Sequence, residues 1–279
     1  RVRRAILLGM GYISLEMAES LRSLGIEAAM IKPRPQLLPR MDRNLAEMVW
    51  QELEENDVGL YPGRKIHRIE SRKGQLHVVC EDGELSGEFL LVATGIRPNS
   101  ELAAEAGLEL GPGGAVAADR MLQTSHPKIY AAGDCADAYH VVTGDKTWIP
   151  LALRANRAGR AAAENACGGE VRLDGVAGTS VFRVMGLEVA STGISEEQAR
   201  KHGFDPASVS IESRSRAHAH PGAKTIRVCL TGDRRTGRLL GAQMVGGEGV
   251  AQHVGVDPRQ PQGGGVTAQP LLDGARPQP

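Results

Sequence analysis

The sequence predicts an α/β fold in which a parallel sheet comes first and a second domain with an antiparallel sheet follows. Three observations predict it. A short apolar strand, a glycine-rich turn and an amphipathic helix follow one another at the start of the chain. Strand and helix patterns then alternate up to about residue 95, and after residue 170 several strand patterns follow closely on one another. With 41% hydrophobic residues among 279, the chain can bury one large core or several small ones.

Composition argues against several classes of function. The 33 Lys and Arg residues balance 33 Asp and Glu residues, so binding of the whole chain to nucleic acid or an anionic membrane surface is not expected. No apolar run approaches the roughly 20 residues that span a bilayer, and no secretory signal pattern precedes the first strand, so a cytoplasmic location is expected. The four cysteines are far apart and form no C-x-x-C pair, which predicts reduced thiols rather than a zinc ribbon or a local redox pair. They are Cys80, Cys135, Cys167 and Cys229.

The first 31 residues predict a β-α-β unit. The segments Arg4–Leu8 and Ile26–Ile31 are short apolar runs, as buried parallel strands require. The helix between them is predicted to end at Gly25. Its expected inward stripe consists of Ile13, Met17, Leu21 and Leu24.

The turn before this helix predicts a dinucleotide site. Residues 9–14 fit G-x-G-x-x-G except at the last place, where Ser14 stands. Gly9 permits a sharp turn from strand to helix, and Gly11 lets the backbone approach a pyrophosphate. Peptide N–H groups and the positive end of the helix would hold the phosphates. The alternative is a tight structural turn that binds nothing.

The end of the second strand bears on which dinucleotide is bound. An NAD site usually places Asp or Glu there to accept a hydrogen bond from the ribose 2′-OH. This sequence has Lys32 and Arg34 instead, which favours NADPH over NADH because either cation could hold a 2′-phosphate. The alternative is that both are solvated loop charges and the site accepts either cofactor.

The rest of the first domain follows from periodicity. Residues 42–56 predict an amphipathic helix that starts at the N-cap Asp42 and buries Leu45, Met48, Val49 and Leu53. Residues 65–70, 75–80 and 84–86 predict a three-stranded meander. Phe89–Ala93 predicts another buried strand, so a nucleotide-binding domain would be complete by about residue 95.

Residues 124–134 carry a second signal, a polar start and a buried strand that ends in Gly133 and Asp134. A carboxylate in that place can accept hydrogen bonds from a sugar-like chain. A helix is predicted within residues 148–167. Beyond residue 170, strands are predicted at 181–184, 188–192, 208–213, 225–230 and 239–245, and residues 195–198 form a capping box that opens a short helix.

These segments resemble the pyridine nucleotide-disulfide oxidoreductases, and most of all the branch with coenzyme A-disulfide reductases and NADH oxidases or peroxidases. The resemblance runs from about Arg4 to His253. It is carried by "GYISLEMAE", "ATGIRPN", T-x(4)-I-Y-A-x-G-D, "AAGDCAD", "WIPLALRANRAGR", "RSRAHAHPGAK" and "LLGAQMVGGEG". It implies a Rossmann-like NAD(P)-binding domain at residues 1–95, the C-terminal half of an FAD-binding domain at 96–169 and an α+β interface (dimerisation) domain at 170–254 that forms a homodimer.

The resemblance also implies roles for particular residues. Tyr12 would cover the flavin until the nicotinamide displaces it, with Glu16 behind it in the same pocket. The alternative is that Tyr12 is a packed aromatic residue and Glu16 an exposed helix residue. Asp134 would bind the ribityl chain of FAD. Asn156 stands where some relatives contact their substrate. The cofactor-binding residues implied by the motifs and the resemblance are Gly9, Gly11, Tyr12, Ile13, Ser14, Glu16, Lys32, Arg34, Gly95, Thr124, Gly133, Asp134 and Ala152.

The function implied is that of an FAD-dependent NAD(P)H oxidoreductase. Hydride would pass from NADPH or NADH to FAD, and electrons would then pass to a disulfide or persulfide, a peroxide or oxygen. Relatives begin with a further FAD-binding unit and a redox cysteine, so we expect no catalytic cysteine within this chain. The alternatives are a non-catalytic NAD(P)-binding remnant of such an enzyme and an interaction module that pairs with a full-length copy.

Two further features complete the sequence predictions. His218 and His220 would share one strand face, but without a third ligand no metal site is predicted. From residue 255 to 279, ten of 25 residues are Pro or Gly, and this tail is predicted to be disordered.

Overall fold

The computed structural model describes residues 2–217 and 219–250. The predicted tail at 255–279 and His218 lie outside these described residues. The chain divides into two compact units. The first unit comprises residues up to 95, residues 180–191 and the described residues from 195 onwards, and the second comprises residues 96–179 and 192–194.

The first unit contains a four-stranded parallel sheet, in which β3 (Gly59–Pro62), β2 (Glu27–Lys32), β1 (Arg4–Leu8) and β7 (Phe89–Val92) are neighbours in that order. The parallel pairing of β1 with β2 confirms the β-α-β prediction, whereas the strand β3 was not predicted. Two helices belong to the same unit, and each buries one apolar stripe in a core that it shares with the sheet. The helices are α1 (Tyr12–Ser23) and α2 (Arg43–Glu55).

Helix α2 confirms its prediction for three of the four residues expected to be buried, while Met48 is only partly buried. Leu45, Val49 and Leu53 are fully buried, because positions four residues apart lie on one face of a helix. The carboxylate of the N-cap Asp42 accepts a hydrogen bond from Asn44 N at 3.0 Å. That bond satisfies one of the unpaired amides of the first turn.

The predicted inward stripe of α1 is partly wrong. Ile13 and Leu24 are 57% and 70% exposed, and only Leu21 of the four predicted residues is buried. The helix turns a neighbouring face to the sheet because small side chains there allow a close approach of the two backbones. The buried residues of α1 are Ser14, Leu15, Ala18 and Leu21.

The meander and the later strands are confirmed. A three-stranded antiparallel sheet has the order β4-β5-β6, and a five-stranded antiparallel sheet has the order β10-β11-β14-β13-β12. A short helix, α5 (Glu196–Lys201), opens with the predicted capping box between Ser195 and Gln198. The strands are β4 (Ile66–Arg72), β5 (Gln75–Cys80), β6 (Gly83–Gly87), β10 (Ser180–Val184), β11 (Leu187–Gly193), β12 (Pro206–Arg214), β13 (Thr225–Asp233) and β14 (Leu239–Gly246).

The second unit has little regular structure apart from one long helix. The buried strand predicted within residues 124–134 is wrong, because no neighbouring strand in the described chain forms a ladder with it. Tyr130 makes only a single bridge to Gln123. The elements are α3 (Glu101–Glu105), a 3₁₀ turn (Pro112–Gly114), β8 (Ala138–Tyr139), β9 (Lys146–Thr147) and α4 (Ala152–Ala166).

Strand β7 is less buried than predicted. It lies at the edge of the parallel sheet and pairs only with β1. An edge strand has one neighbour, so its side chains are less enclosed. Phe89 and Val92 are therefore exposed.

Within the described residues, no helix combines the length and apolar character needed to cross a membrane.

Candidate functional site

The turn after β1 is built around Gly9. Its N–H donates to the Ile31 carbonyl at 2.8 Å, which joins the ends of β1 and β2. The backbone has φ +120° there, and an added Cβ would lie 2.2 Å from the Ala93 carbonyl oxygen. Only glycine fits this close approach of three chain segments. The carboxyl ends of the central strands are thereby held together at one edge of the sheet, where ligands bind in open α/β sheets.

The N-terminus of α1 opens at the same edge. Gly11 is its N-cap and supplies no side chain, so no side-chain hydrogen bond occupies the first-turn amides. A Cβ added at Gly11 would meet nothing within 4 Å. The first turn contains no acidic residue. Free amides together with the positive end of a twelve-residue helix suit an anionic group such as a pyrophosphate.

Ser14, at the third position of the motif, is fully buried. Its Oγ has no hydrogen-bond partner among the described residues and would lie 3.4 Å from a Cβ added at Gly9. The position is therefore packed against the turn, as expected of the third glycine in this motif. A side chain larger than serine would push the helix away from the turn.

Three other predicted residues lie on the exposed side of the first turns of α1. Tyr12 is 47% exposed, and Ile13 and Glu16 are also exposed. The Tyr12 ring packs against Phe182 of β10, with ring centroids 4.8 Å apart and an interplanar angle of 42°. Tyr12 is thus both packed on one side and accessible on the other.

Lys32 and Arg34 differ in what they can reach. The Lys32 Nζ donates to the carbonyls of Gln36 and Leu37, the second at 3.2 Å. Burial, and then the like charge of Arg34, lower the pKa of Lys32. Arg34 is exposed. The Lys32 ammonium therefore holds its own loop in place, and Arg34 is the cation better placed to meet a phosphate.

In the second unit, the residues around Asp134 form a loop held by one guanidinium. Gly133 has φ +89°, and the Asp134 side chain is exposed. Arg154 donates to the carbonyls of Gly133 and Ala136 at 2.8 Å each, and also to that of Asp137. The pKa of Arg154 is lowered, because the effect of burial outweighs that of the nearby Asp137 and Asp134 carboxylates, which raise it. Arg154 thus fixes the loop backbone, and the Asp134 side chain is exposed.

A second donor holds the same loop. The indole Nε1 of Trp148 donates to the Asp134 carbonyl at 2.7 Å. Helix α4 begins four residues after Trp148, at Ala152. Its N-cap, Leu151, makes no side-chain hydrogen bond. Ala152 and Asn156, one turn apart, are both exposed. The loop and the start of α4 are thus held together by Arg154, which lies in the first turn of α4.

Thr124 and Gly95, two further predicted cofactor residues, lie in different structural environments. The Thr124 Oγ1 donates to the Ile129 carbonyl at 2.9 Å and accepts a hydrogen bond from His126 N at 3.2 Å, so it closes its own turn. Gly95 lies in the first unit, three residues beyond β7, with φ +116° and open space around it. That backbone conformation favours glycine.

None of the four cysteines takes part in a disulfide bond. Cys80 and Cys229 are buried, and burial raises the pKa of both thiols, which makes them poor nucleophiles. The Cys135 Sγ donates to the Ala132 carbonyl at 3.3 Å, and Cys167 is exposed. Among residues 2–217 and 219–250, no group of three or more His, Cys, Asp or Glu side chains could hold a metal ion.

The sequence patterns did not identify Arg154, Trp148 or Phe182 as site residues. Arg154 had a signal, because a cation in the first turn of a helix opposes the helix dipole and needs another reason to be there. Phe182 had none, because its contact with Tyr12 depends on the packing of β10 against α1.

Comparison with known proteins agrees with this geometry. Residues 1–159 match the family model described as pyridine nucleotide-disulphide oxidoreductase, and residues 179–255 match the model of its dimerisation domain. The NAD(P)H sulfur oxidoreductase (CoA-dependent) of Pyrococcus furiosus is 36% identical over 249 residues, which cover 89% of this chain and 56% of the relative. The NADH oxidase of Methanocaldococcus jannaschii is 32% identical over 254 residues, which cover 90% of this chain and 56% of the relative.

A solved structure, that of a NAD-dependent persulfide reductase from A. fulgidus, superposes with a TM-score of 0.86 at 37% identity. The match covers 91% of this chain and 48% of that one. The chain therefore spans about half the length of the relatives that it matches. With a family model that covers more than half of its residues and a glycine turn of the expected geometry, the chain belongs to the pyridine nucleotide-disulphide oxidoreductase family.

Proposed function

We propose that this chain forms the nucleotide-binding and dimerising part of an FAD-dependent NAD(P)H oxidoreductase. The observation that carries the proposal is the turn from Gly9 to Gly11. A sterically required glycine, Gly9, leads to a helix whose N-cap, Gly11, has open space where a Cβ would lie and no side-chain hydrogen bond to the first-turn amides. We assign residues 1–95 to NAD(P) binding, 96–169 to the C-terminal half of the FAD domain and 170–254 to the interface domain.

The residues around the turn fit a pyridine dinucleotide. The first-turn amides of α1 would hold the pyrophosphate, and the missing side chain at Gly11 leaves room for its oxygens. Tyr12, Ile13 and Glu16 would border the nicotinamide end. Arg34 would meet a ribose 2′-phosphate, while Lys32 holds the loop from which Arg34 projects.

The residues of the second unit fit part of a flavin. Asp134 would accept hydrogen bonds from the ribityl hydroxyls, because Arg154 and Trp148 hold its backbone and leave the carboxylate exposed. Ala152, at the start of α4, would contribute the positive end of a helix to the isoalloxazine ring. Thr124 would act indirectly, through the turn that it closes. Bound FAD would accept hydride from the nicotinamide and pass electrons onward.

The electron acceptor is proposed from the relatives. Their names include a sulfur oxidoreductase, a polysulfide/persulfide reductase and NADH oxidases, which support a persulfide or oxygen as the acceptor. The sequence resemblance adds a disulfide and a peroxide as further acceptor classes. Asn156 is exposed one turn into α4 and would face the substrate.

We also propose a homodimer, supported by the match to the dimerisation domain, and a cytoplasmic location, where unpaired cysteines are usual.

The test is the visible absorbance of the purified chain before and after addition of FAD, followed by anaerobic addition of NADPH. A protein-bound flavin band that NADPH bleaches supports the oxidoreductase. A colourless protein that still binds NADPH supports the NAD(P)-binding assignment of residues 1–95 and contradicts the assignment of residues 96–169 to FAD binding. A protein that binds neither cofactor contradicts both assignments.

Replacement of Arg34 by glutamate should separate the two pyridine nucleotides. We expect NADPH binding to weaken by about tenfold to a hundredfold, because an ion pair with the 2′-phosphate becomes a repulsion. NADH binding should change by less than about threefold. The measurement is a titration of the full chain with each nucleotide.

The matched control is Lys32→Met. It removes a donor to two loop carbonyls, so it should weaken NADPH and NADH binding by similar factors. Equal effects of Arg34→Glu on the two nucleotides would contradict the assignment of Arg34.

A further inference from the structure

The hairpin formed by β10 and β11 is fastened to the two helices of the nucleotide-binding fold. The Met185 N–H donates to the Glu19 Oε2 of α1 at 2.7 Å, and the next amide, Gly186 N–H, donates to the Glu52 Oε1 of α2 at 2.7 Å. Arg183 adds an ion pair to Glu19 at 3.8 Å. Two carboxylates from different helices thus hold consecutive amides of one hairpin turn.

Apolar packing supports the same attachment. Phe182, Val184 and Val189 of the hairpin are buried in the same core cluster as Leu15 of α1 and Leu45 of α2. Val181, the neighbour of Phe182, points to the other face of the sheet and is 46% exposed. The Phe182 side of β10 therefore packs as part of the nucleotide-binding core, although β10 belongs to the sheet of the dimerisation domain.

Phe182 of the hairpin contacts a residue of the candidate site, Tyr12. It is 7% exposed, and its ring centroid lies 4.8 Å from that of Tyr12. Tyr12 is the first residue of α1 and directly follows Gly11. Because Phe182 is held on its strand by surrounding core residues, it limits the positions that the Tyr12 ring can take. The exposed side of the Tyr12 ring remains free for a planar partner.

We propose that Phe182 is a positioning residue that holds the Tyr12 ring at the edge of the dinucleotide site, so that the first strand of the dimerisation domain completes the nicotinamide pocket. The inference rests on the proposed function, since it assumes that a nicotinamide binds beside Tyr12. Phe182 itself does not touch the nucleotide. Its effect on nucleotide affinity is transmitted through the Tyr12 ring.

The experiment is a double-mutant cycle on the full chain, with the dissociation constant of NADPH as the readout. We expect Phe182→Leu to weaken binding by about threefold to tenfold, the range set by one aromatic pair. In a Tyr12→Leu background, Phe182→Leu should have little further effect, because the ring that it positions is gone. Phe182→Tyr keeps a ring at this position and should retain most of the affinity.

Val181→Ala is the matched control on the same strand and should leave NADPH binding unchanged. Thermal unfolding of each variant checks that the fold is retained. If Phe182→Leu has no effect, or the same effect with and without Tyr12, then Phe182 acts only through the fold and the inference is overturned. Failure of the unmodified chain to bind NADPH would instead overturn the proposed function.

Discussion

Gly9→Ala should unfold the first unit or bring it close to unfolding, with a loss on the order of 3–5 kcal/mol in the free energy of unfolding. The new Cβ would lie 2.2 Å from the Ala93 carbonyl oxygen, and that atom belongs to the backbone and cannot rotate away. The φ of +120° adds strain of its own. Chemical denaturation followed by far-ultraviolet circular dichroism measures the loss.

Gly11→Ala is the matched control, because it adds the same methyl group two residues later. Its Cβ would enter open space at an N-cap with ordinary backbone angles, so stability should fall by less than about 1 kcal/mol. NADPH binding should nevertheless weaken by about tenfold or more, since the methyl group would occupy the space of the pyrophosphate. Equal destabilisation by the two variants would contradict the assignment of separate roles to the two glycines.

Arg154→Met should release the loop that carries Asp134. Three carbonyls, those of Gly133, Ala136 and Asp137, lose a charged donor at once. Hydrogen bonds to charged groups contribute more than neutral ones, so we expect a loss of about 3 kcal/mol for the second unit. FAD binding should weaken by at least tenfold, because Asp134 would no longer be held. Binding of NADPH, which we place in the first unit, should be unchanged.

Arg157→Met is the control for this prediction. Arg157 lies one turn further along α4 and is exposed, so its replacement removes a charge without freeing the loop. Hydrogen–deuterium exchange gives a readout that requires no flavin. The amides of Ala136 and Asp137, which donate to Gly133 and Val116 carbonyls, should exchange faster in Arg154→Met and not in Arg157→Met. Unchanged exchange in both would refute the role of Arg154.

The glycine turn at which we propose nucleotide binding could be predicted because its signals are local. A turn that needs glycine at residues 9 and 11 lies between an apolar strand and a helix, and each of these follows from a few adjacent residues. The meander, the capping box at Ser195 and the strands of the dimerisation domain were likewise readable from periodicity and turn residues. The predicted inward face of α1 was nevertheless partly wrong, because the face that is buried depends on how closely the helix approaches the sheet.

Other features depended on contacts between distant parts of the chain. The strand expected before Gly133 did not form, because a strand needs a neighbour and no segment of the described chain provides a ladder for it.

The sequence by itself determined the β-α-β unit, the glycine turn and the positions of most of the strands, because these depend on backbone freedom and on the spacing of apolar residues. Only the tertiary structure decided that Lys32 bonds to its own loop, that Arg154 holds the Asp134 loop and that Phe182 backs the Tyr12 ring. From the sequence alone, a long polar or aromatic side chain has several possible contact partners. Which of them it meets is settled by the packing of elements that lie far apart along the chain.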